Sequence, residues 1–120
     1  MERSWNENQP IYRQLRDRVI AMIIEGQLGP GEALPSVRQV SAELQINPLT
    51  VLKAYQELAD EGLVEKRRGL GMFVAEGARE ALLRTEREVF LHERWPEIRA
   101  TIRRLGFTAE DLLSDKGEPS

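Results

Sequence analysis

The stretch that decides the fold runs from residue 34 to residue 75 and reads LPSVRQVSAELQINPLTVLKAYQELADEGLVEKRRGLGMFVA. Near its start, Ser36 is followed three residues later by Gln39. This spacing is typical of a capping box, in which the serine hydroxyl accepts a backbone N–H of the first turn while the glutamine side chain reaches back. The pattern predicts a helix that starts at Val37 and ends near Leu44.

A second helix is predicted directly after the first, starting at Asn47 and Pro48. Asparagine is favoured as an N-cap and proline is favoured at the first helical position. Four apolar residues then recur at helical spacing and predict one buried face, whereas the remaining positions fall elsewhere on the helix surface. The predicted buried residues are Val51, Ala54, Tyr55 and Leu58. Gly62 supplies the C-terminal stop.

A β-hairpin is predicted after the second helix. Two β-prone segments, residues 63–66 and 72–74, flank the basic, glycine-containing turn Arg67-Arg68-Gly69-Leu70-Gly71. A helix, a short connection, a second helix and a hairpin follow one another in a winged helix-turn-helix. In that fold the second helix can enter the DNA major groove with its N-terminal turn, while a basic loop reaches phosphates or the minor groove.

At these residues the chain resembles the GntR family of bacterial transcription regulators. The segment Asn47-Pro48-Leu49-Thr50-Val51-Leu52-Lys53-Ala54-Tyr55 resembles the YtrA subfamily in particular. The match spans about residues 10 to 76, and it implies a winged helix-turn-helix that binds DNA. The other motifs that carry it are Gly29-Pro30-Gly31, Leu34-Pro35-Ser36-Val37-Arg38, Leu58-Ala59-Asp60-Glu61-Gly62-Leu63 and Arg68-Gly69-Leu70-Gly71-Met72-Phe73-Val74.

The expected DNA-binding residues lie at the helix starts and in the hairpin. For Arg38 the resemblance implies a phosphate contact, and the alternative is a solvated charge or a salt bridge to Glu43. Thr50 and Lys53 can meet phosphates or base edges. Leu49 either touches a thymine methyl or packs against the preceding loop. The complete predicted set is Ser36, Arg38, Asn47, Leu49, Thr50, Lys53, Arg67, Arg68, Gly69 and Gly71.

Before this stretch, a helix is predicted from Pro10 to about Glu25, and its simplest role is to brace the helix-turn-helix. Its apolar stripe consists of Ile11, Leu15, Val19, Met22 and Ile23, with Trp5 and Tyr12 at its edge. Residues 26–35 are rich in glycine and proline and are expected to form a loop, from which Leu28 and Leu34 plug the core.

After the hairpin, residues 78–105 show a helical pattern whose apolar stripe is displaced near Phe90. Pro96 removes a backbone donor, at a cost of ~3 kcal/mol in a straight helix interior, so a kink or break is expected between Leu91 and Pro96. Gly106 ends this helix. Thr108 with Asp111 predicts a short final helix, and residues 114–120 are expected to be mobile.

The two displaced stripes predict a partner chain, because one helix cannot bury both against a domain that has its own core. The C-terminal part resembles the pair of helices through which YtrA-like proteins dimerise, and the alternative is packing within one chain only. We therefore expect a DNA-binding domain at residues 1–76 and a helical dimerisation segment with an acidic tail at residues 77–120. The predicted dimerisation residues are Leu82, Val89, Leu91, Trp95, Ile98, Ile102 and Leu105.

Composition limits the functions open to a chain of this length. The 120 residues carry a net charge of −3 and no cysteine, so no disulfide framework or thiolate metal site is expected. The only histidine, His92, has no partners at metal-ligand spacing, and no nucleophile elbow or phosphate-binding loop is present. These features predict a protein that is not an enzyme and has no cofactor. With no signal peptide or membrane-spanning run, a cytoplasmic, nucleoid-associated location is expected.

The leading function is a sequence-specific DNA-binding transcription regulator, a repressor that binds an inverted repeat as a homodimer. The resemblance leaves open a small-molecule effector whose identity the sequence does not give. One alternative is a winged-helix protein-interaction module without specific DNA binding. Another is a small metabolite sensor or enzyme, which would need a polar pocket that the sequence does not reveal.

Overall fold

The computed structural model of the chain describes residue 1 and residues 4–114, and residues 115–120 of the expected mobile tail lie outside the described part. The chain forms two compact units, Met1–Leu83 and Arg84–Ser120. The elements are α1 (Ile11–Ile24), α2 (Val37–Leu44), α3 (Pro48–Asp60), β1 (Val64–Arg67), β2 (Gly71–Val74), α4 (Ala78–Val89), a π-helical turn (Phe90–Arg94), α5 (Trp95–Leu105) and α6 (Ala109–Leu113). The predicted fold class, mainly helical with a small hairpin, is confirmed.

Helix α1 begins directly after Pro10 and ends before Glu25, close to its predicted bounds. Three members of the predicted stripe, Leu15, Val19 and Ile23, are buried in the core. The prediction of a buried stripe is wrong at Ile11, which is 37% exposed. In the first turn of α1 a polar residue is buried instead. That residue is Gln14, whose amide folds the preceding segment onto the helix by bonding to Asn6 and Gln9 at 2.8–3.0 Å.

The helix-turn-helix has the predicted bounds. The Ser36 hydroxyl accepts from the Gln39 backbone N–H at 3.0 Å, but the return bond from the Gln39 side chain is absent, so only half of the predicted capping box forms. Gln45 ends α2 in the left-handed conformation at φ 55°. Asn47 then caps α3, its Oδ1 accepting from the Leu49 N–H at 2.9 Å.

The inner face of α3 forms the centre of the core. All four residues predicted there are buried, and Val51, Ala54 and Leu58 have no exposed surface. Tyr55 is buried as well, and its hydroxyl donates to the backbone oxygen of Pro35 at 2.7 Å. This bond satisfies the one polar atom of the ring and joins α3 to the segment just before α2.

The hairpin pairs β1 with β2 in antiparallel register, with Val64 opposite Val74 and Arg67 opposite Gly71. Arg67 therefore lies in the strand, although it was expected in the turn. The turn is closed by the Leu70 N–H, which donates to the Arg67 oxygen at 2.9 Å. Gly69 has φ +76° within that turn, a backbone conformation that glycine adopts at no steric cost.

The loop before α2 is bonded to β2 through an isolated antiparallel β-bridge. The N–H of Gly31 donates to Val74 at 2.9 Å, the N–H of Leu34 donates to Met72 at 2.8 Å, and Ala33 is bridged to Phe73. Leu28 and Leu34 are buried, as predicted, but the backbone pairing of this loop with β2 was not predicted. These bonds tie the hairpin to the helix-turn-helix.

The start of α4 belongs to the first unit. Ala78 is buried and Leu82 packs against the core. The Arg79 Nε donates at 2.8 Å to the backbone oxygen of Ile24, the last residue of α1. Helix carbonyls at a C-terminus lack intrahelical partners, so this arginine caps α1 from a distant part of the chain.

In the second unit, the predicted break between Leu91 and Pro96 is confirmed as a π-helical turn. The Trp95 N–H bonds to the Phe90 oxygen, five residues back. A regular helix would press the Pro96 ring against the carbonyl of His92, and the wider turn relieves this clash. The extra residue in the turn also rotates the residues that follow, which explains the displaced apolar stripe.

The end of the second unit also follows the sequence. Gly106 ends α5 in the left-handed conformation at φ 76°. The capping box of α6 is complete, because Asp111 accepts from the Thr108 N–H at 2.8 Å and donates its own N–H to the Thr108 hydroxyl at 3.2 Å. The bond from the Thr108 backbone, and then that from its side chain, lowers the pKa of Asp111.

Stability above pH 10 tests the burial of Tyr55. Burial raises the pKa of Tyr55 to about 12, above its usual value of about 10. The unfolded state therefore loses this proton first, and the free energy of unfolding should fall as pH rises from about 10 to about 12, by up to about 1.4 kcal/mol per pH unit. Urea denaturation of the wild type and of Tyr55→Phe measures this difference. The same slope in both proteins would contradict the assignment.

Candidate nucleic-acid interface

The N-terminal ends of α2 and α3 each carry a side-chain cap. Ser36 and Asn47, both predicted as DNA-binding residues, use their side-chain oxygens to accept backbone N–H groups of their own helices. Both residues are exposed. Capping fixes where each helix begins, and the positive end of the helix dipole at that point favours a nearby anion.

The outward surface of α3 presents a leucine, a threonine and a lysine. Leu49 is 70% exposed, so most of its side chain is accessible to a ligand. Thr50 is half-buried and Lys53 is exposed. The Lys53 Nζ lies 4.1 Å from the ring centroid of Tyr12 on α1. Sequence reasoning placed Tyr12 at the edge of α1 and did not connect it with α3.

Arg38, on the first turn of α2, is exposed. Its alternative role, a salt bridge to Glu43, does not form. The Glu43 carboxylate instead lies 3.4 Å from the N-terminal ammonium of Met1. The guanidinium of Arg38 is therefore available to an anionic ligand.

The hairpin carries two arginines in different settings. The Arg67 guanidinium lies 4.3 Å from the ring centroid of Phe73, which is diagonal to it across the two strands. Arg68 is exposed in the turn. Gly69 and Gly71 on either side of Leu70 have φ of 76° and 110°, so both positions need the conformational freedom of glycine. Sequence reasoning missed the stacking of Arg67, because Phe73 was read only as part of a strand.

Arg16 of α1 contacts two acidic residues at the C-terminal end of α3, Glu57 and Glu61, as well as its own neighbour Asp17. The Arg16 guanidinium bonds to both carboxylate oxygens of Glu61, and its Nε lies 3.8 Å from Glu57 Oε2. The Glu57 Oε2 is buried and has no hydrogen-bond partner among the described residues. Arg16 thus offsets part of the negative charge at this end of the helix.

Other kinds of site receive no support from the described residues. In residue 1 and residues 4–114, no group of three or more histidine, cysteine, aspartate or glutamate side chains is placed to hold a metal ion. His92 is exposed in the π-helical turn. No helix in the same residues is long and apolar enough to cross a membrane.

The second unit has no buried residue between positions 84 and 114. Of the predicted dimerisation residues, Leu91 and Leu105 are 55% and 61% exposed, while Trp95 and Ile102 are half-buried. Leu82 lies in the first unit and packs against that unit's core. The predicted set of dimerisation residues did not include four other exposed apolar residues, which do not fall on the two stripes. They are Phe90, Phe107, Leu112 and Leu113.

Residues 11–74 match the model of the bacterial regulatory proteins of the gntR family. The chain is 33% identical over 119 residues to YhcF, an uncharacterized HTH-type transcriptional regulator of Bacillus subtilis, and the match covers 94% of this chain and 92% of YhcF. It is 40% identical over 74 residues to the HTH-type transcriptional repressor YtrA of Bacillus subtilis, covering 62% of this chain and 57% of YtrA.

Solved structures show the same fold. A GntR family transcriptional regulator from Listeria monocytogenes superposes with a TM-score of 0.71 at 24% identity, covering 97% of this chain and all of that one. The DNA-binding domain of AraR, in complex with its operator ORR3, superposes with a TM-score of 0.55 at 25% identity, covering 60% of this chain and 87% of that one.

Proposed function

Because this chain belongs to the gntR family of bacterial regulatory proteins and is a YtrA-like, DNA-binding transcription regulator, we propose that it acts as a repressor that binds an inverted repeat as a homodimer. The repressor role is supported by the name of YtrA, with which it shares 40% identity. The protein-interaction module considered from sequence is not favoured, since relatives of this fold are seen bound to operators.

The proposed DNA surface consists of the first turn of α2, the first two turns of α3 and the hairpin. The observation that carries it is the exposure of cations on three separate elements of the first unit: Arg38 on α2, Lys53 on α3 and Arg68 in the hairpin turn. In this proposal Arg38, Arg67 and Arg68 neutralise phosphates, and Lys53, Thr50 and Leu49 meet base edges. Ser36 and Asn47 align the helices, and the glycines shape the hairpin turn.

The proposed dimer is supported by the unburied second unit. Residues 84–114 contain helices but no core of their own, and their apolar side chains remain exposed or half-exposed. Contiguous apolar surface of this kind marks an interaction site, and a second copy of the same surface is the partner that closes a two-fold assembly. We assign the DNA-binding role to residues 1–76 and the dimerisation role to residues 77–120.

In this proposal the dimer represses transcription by covering the promoter. A dimer placed over a promoter excludes the polymerase, and an effector would act by changing the separation of the two α3 helices through the joint at Glu76-Gly77. Gly77 has φ +79°, and Ala78 and Arg79 just after it are anchored on the first unit. A change in backbone conformation at this joint would therefore displace residues that pack directly on the DNA-binding unit.

The salt dependence of binding tests the phosphate contacts. Replacing Arg38 or Arg68 by alanine should weaken binding to all DNA sequences and reduce the slope of log K against log salt by about one unit each. Fluorescence anisotropy at several salt concentrations measures this slope. Arg104→Ala, an exposed arginine in α5, is the matched control and should leave the slope unchanged. Wild-type slopes in Arg38→Ala and Arg68→Ala would remove both residues from the interface.

Sedimentation tests the dimer. Ile98→Asp should place an unpaired carboxylate in the apolar interface, at a cost of several kcal/mol, and shift the protein to monomers. Ala100→Asp adds the same charge about half a turn away on the same helix and should leave the dimer intact. A dimeric Ile98→Asp variant of normal stability would show that this face is not the interface.

Operator geometry tests the coupling of dimer and DNA. Two units related by a two-fold axis read half-sites about 10 bp apart, or a multiple of that distance. Inserting about 5 bp between the half-sites should rotate one of them by half a turn and remove most of the specific affinity, whereas an insertion of about 10 bp preserves the phase. Footprinting on the three operators measures this. Equal affinity for one half-site and for the full repeat would refute the proposal.

A further inference from the structure

The contact between Lys53 and Tyr12 joins the proposed DNA surface to α1. The Lys53 Nζ lies 4.1 Å from the centroid of the Tyr12 ring. We propose that Tyr12 is a positioning residue, which holds the Lys53 ammonium in the place from which it contacts DNA. This inference rests on the proposed function, because it takes Lys53 as a DNA-contacting residue.

The chemistry of the pair suits positioning. A cation within ~6 Å of a ring centroid is attracted by the negative face of the ring. Lysine carries its charge on a flexible four-carbon stem, and ordering such a side chain on binding is costly. The ring occupies one side of the ammonium, which has three donors, so donors remain for a phosphate or a base edge. Tyr12 thus orders the side chain before DNA arrives.

Tyr12 is itself held in place. It lies in the first turn of α1 and is half-buried against the core. This packing against the core limits the positions that the ring can take.

The Tyr12 ring keeps the Lys53 ammonium away from the carboxylate of Glu57. Glu57 lies four residues after Lys53 on α3, where side chains of opposite charge attract each other. Its Oε2 is buried and lacks a hydrogen-bond partner within the described chain, with Arg16 Nε 3.8 Å away. No ion pair between Lys53 and Glu57 forms in the described residues. Without the ring, the Lys53 ammonium would turn towards this carboxylate and away from DNA.

The test uses the full chain and two duplexes, an operator fragment selected from genomic DNA and a fragment of unrelated sequence. Tyr12→Leu keeps an apolar side chain but removes the ring, and it should weaken operator binding roughly two- to five-fold. Tyr12→Phe retains the ring face and should bind like the wild type. Rescue by phenylalanine separates the ring from the hydroxyl.

A double-mutant cycle makes the test specific to the pair. In a Lys53→Met background, Tyr12→Leu should cause no further loss. Adding Glu57→Gln to Tyr12→Leu should restore part of the affinity, because the competing charge is gone. These two results separate positioning from a general loss of structure, which would lower affinity in every background.

Three results would overturn the inference. The inference is wrong if Tyr12→Leu lowers affinity equally with and without Lys53. It is also wrong if Tyr12→Leu tightens operator binding, since either outcome assigns the ring another role. If Lys53→Met binds both duplexes like the wild type while Arg38→Ala weakens binding, Lys53 does not contact DNA, and only the inference fails. If the wild type does not prefer the operator fragment, the proposed function itself fails.

Discussion

Burial of the inner face of α3 against α1 determines where every outward residue of α3 points. Val51, Ala54 and Leu58 are completely buried, as are Leu15 and Val19 on α1. Each fully buried Val or Leu stabilises the fold by about 1.5–3 kcal/mol. Rotating α3 by a single residue would expose several of them at once, so its rotational position is fixed. The outward side chains inherit that position, and the recognition surface depends on the core behind it.

The features that sequence predicted best are those decided by neighbouring residues. The cap at Asn47, the end of α2 at Leu44 and the stop at Gly62 each depend on chemistry within one turn of a helix. The backbone bonds between the loop and β2, by contrast, join residues 31–34 to residues 72–74. A stretch rich in glycine and proline shows no strand pattern of its own, so nothing local could indicate this pairing. Gln14 was missed for the same reason, because its partners lie in an irregular segment.

The residues of the candidate site likewise fall into those that the sequence predicted and those that it did not. The cations were predicted because charge and position relative to helix starts are visible in sequence. The rings beneath them were not, because Lys53 and Tyr12 lie on different helices and Arg67 and Phe73 on different strands. In the second unit, a proline inside an apolar stripe indicated a break, and the displaced stripe indicated a rotation. That both come from one π-helical turn became apparent only from the bond between Trp95 and Phe90.

The charge distribution explains how a chain with a net charge of −3 can bind a polyanion. Screening limits the reach of a charge to about 10 Å at moderate salt, so DNA responds to the groups nearest to it rather than to the total. Arg16 holds Glu57 and Glu61 of α3. Such partly exposed pairs stabilise a fold by only about 0–1 kcal/mol, so their larger effect is on the local field. Because Arg16 offsets part of this negative charge and the acids lie at the C-terminal end of α3, the field beside the start of α3 is set mainly by the positive end of the helix and by the exposed cations.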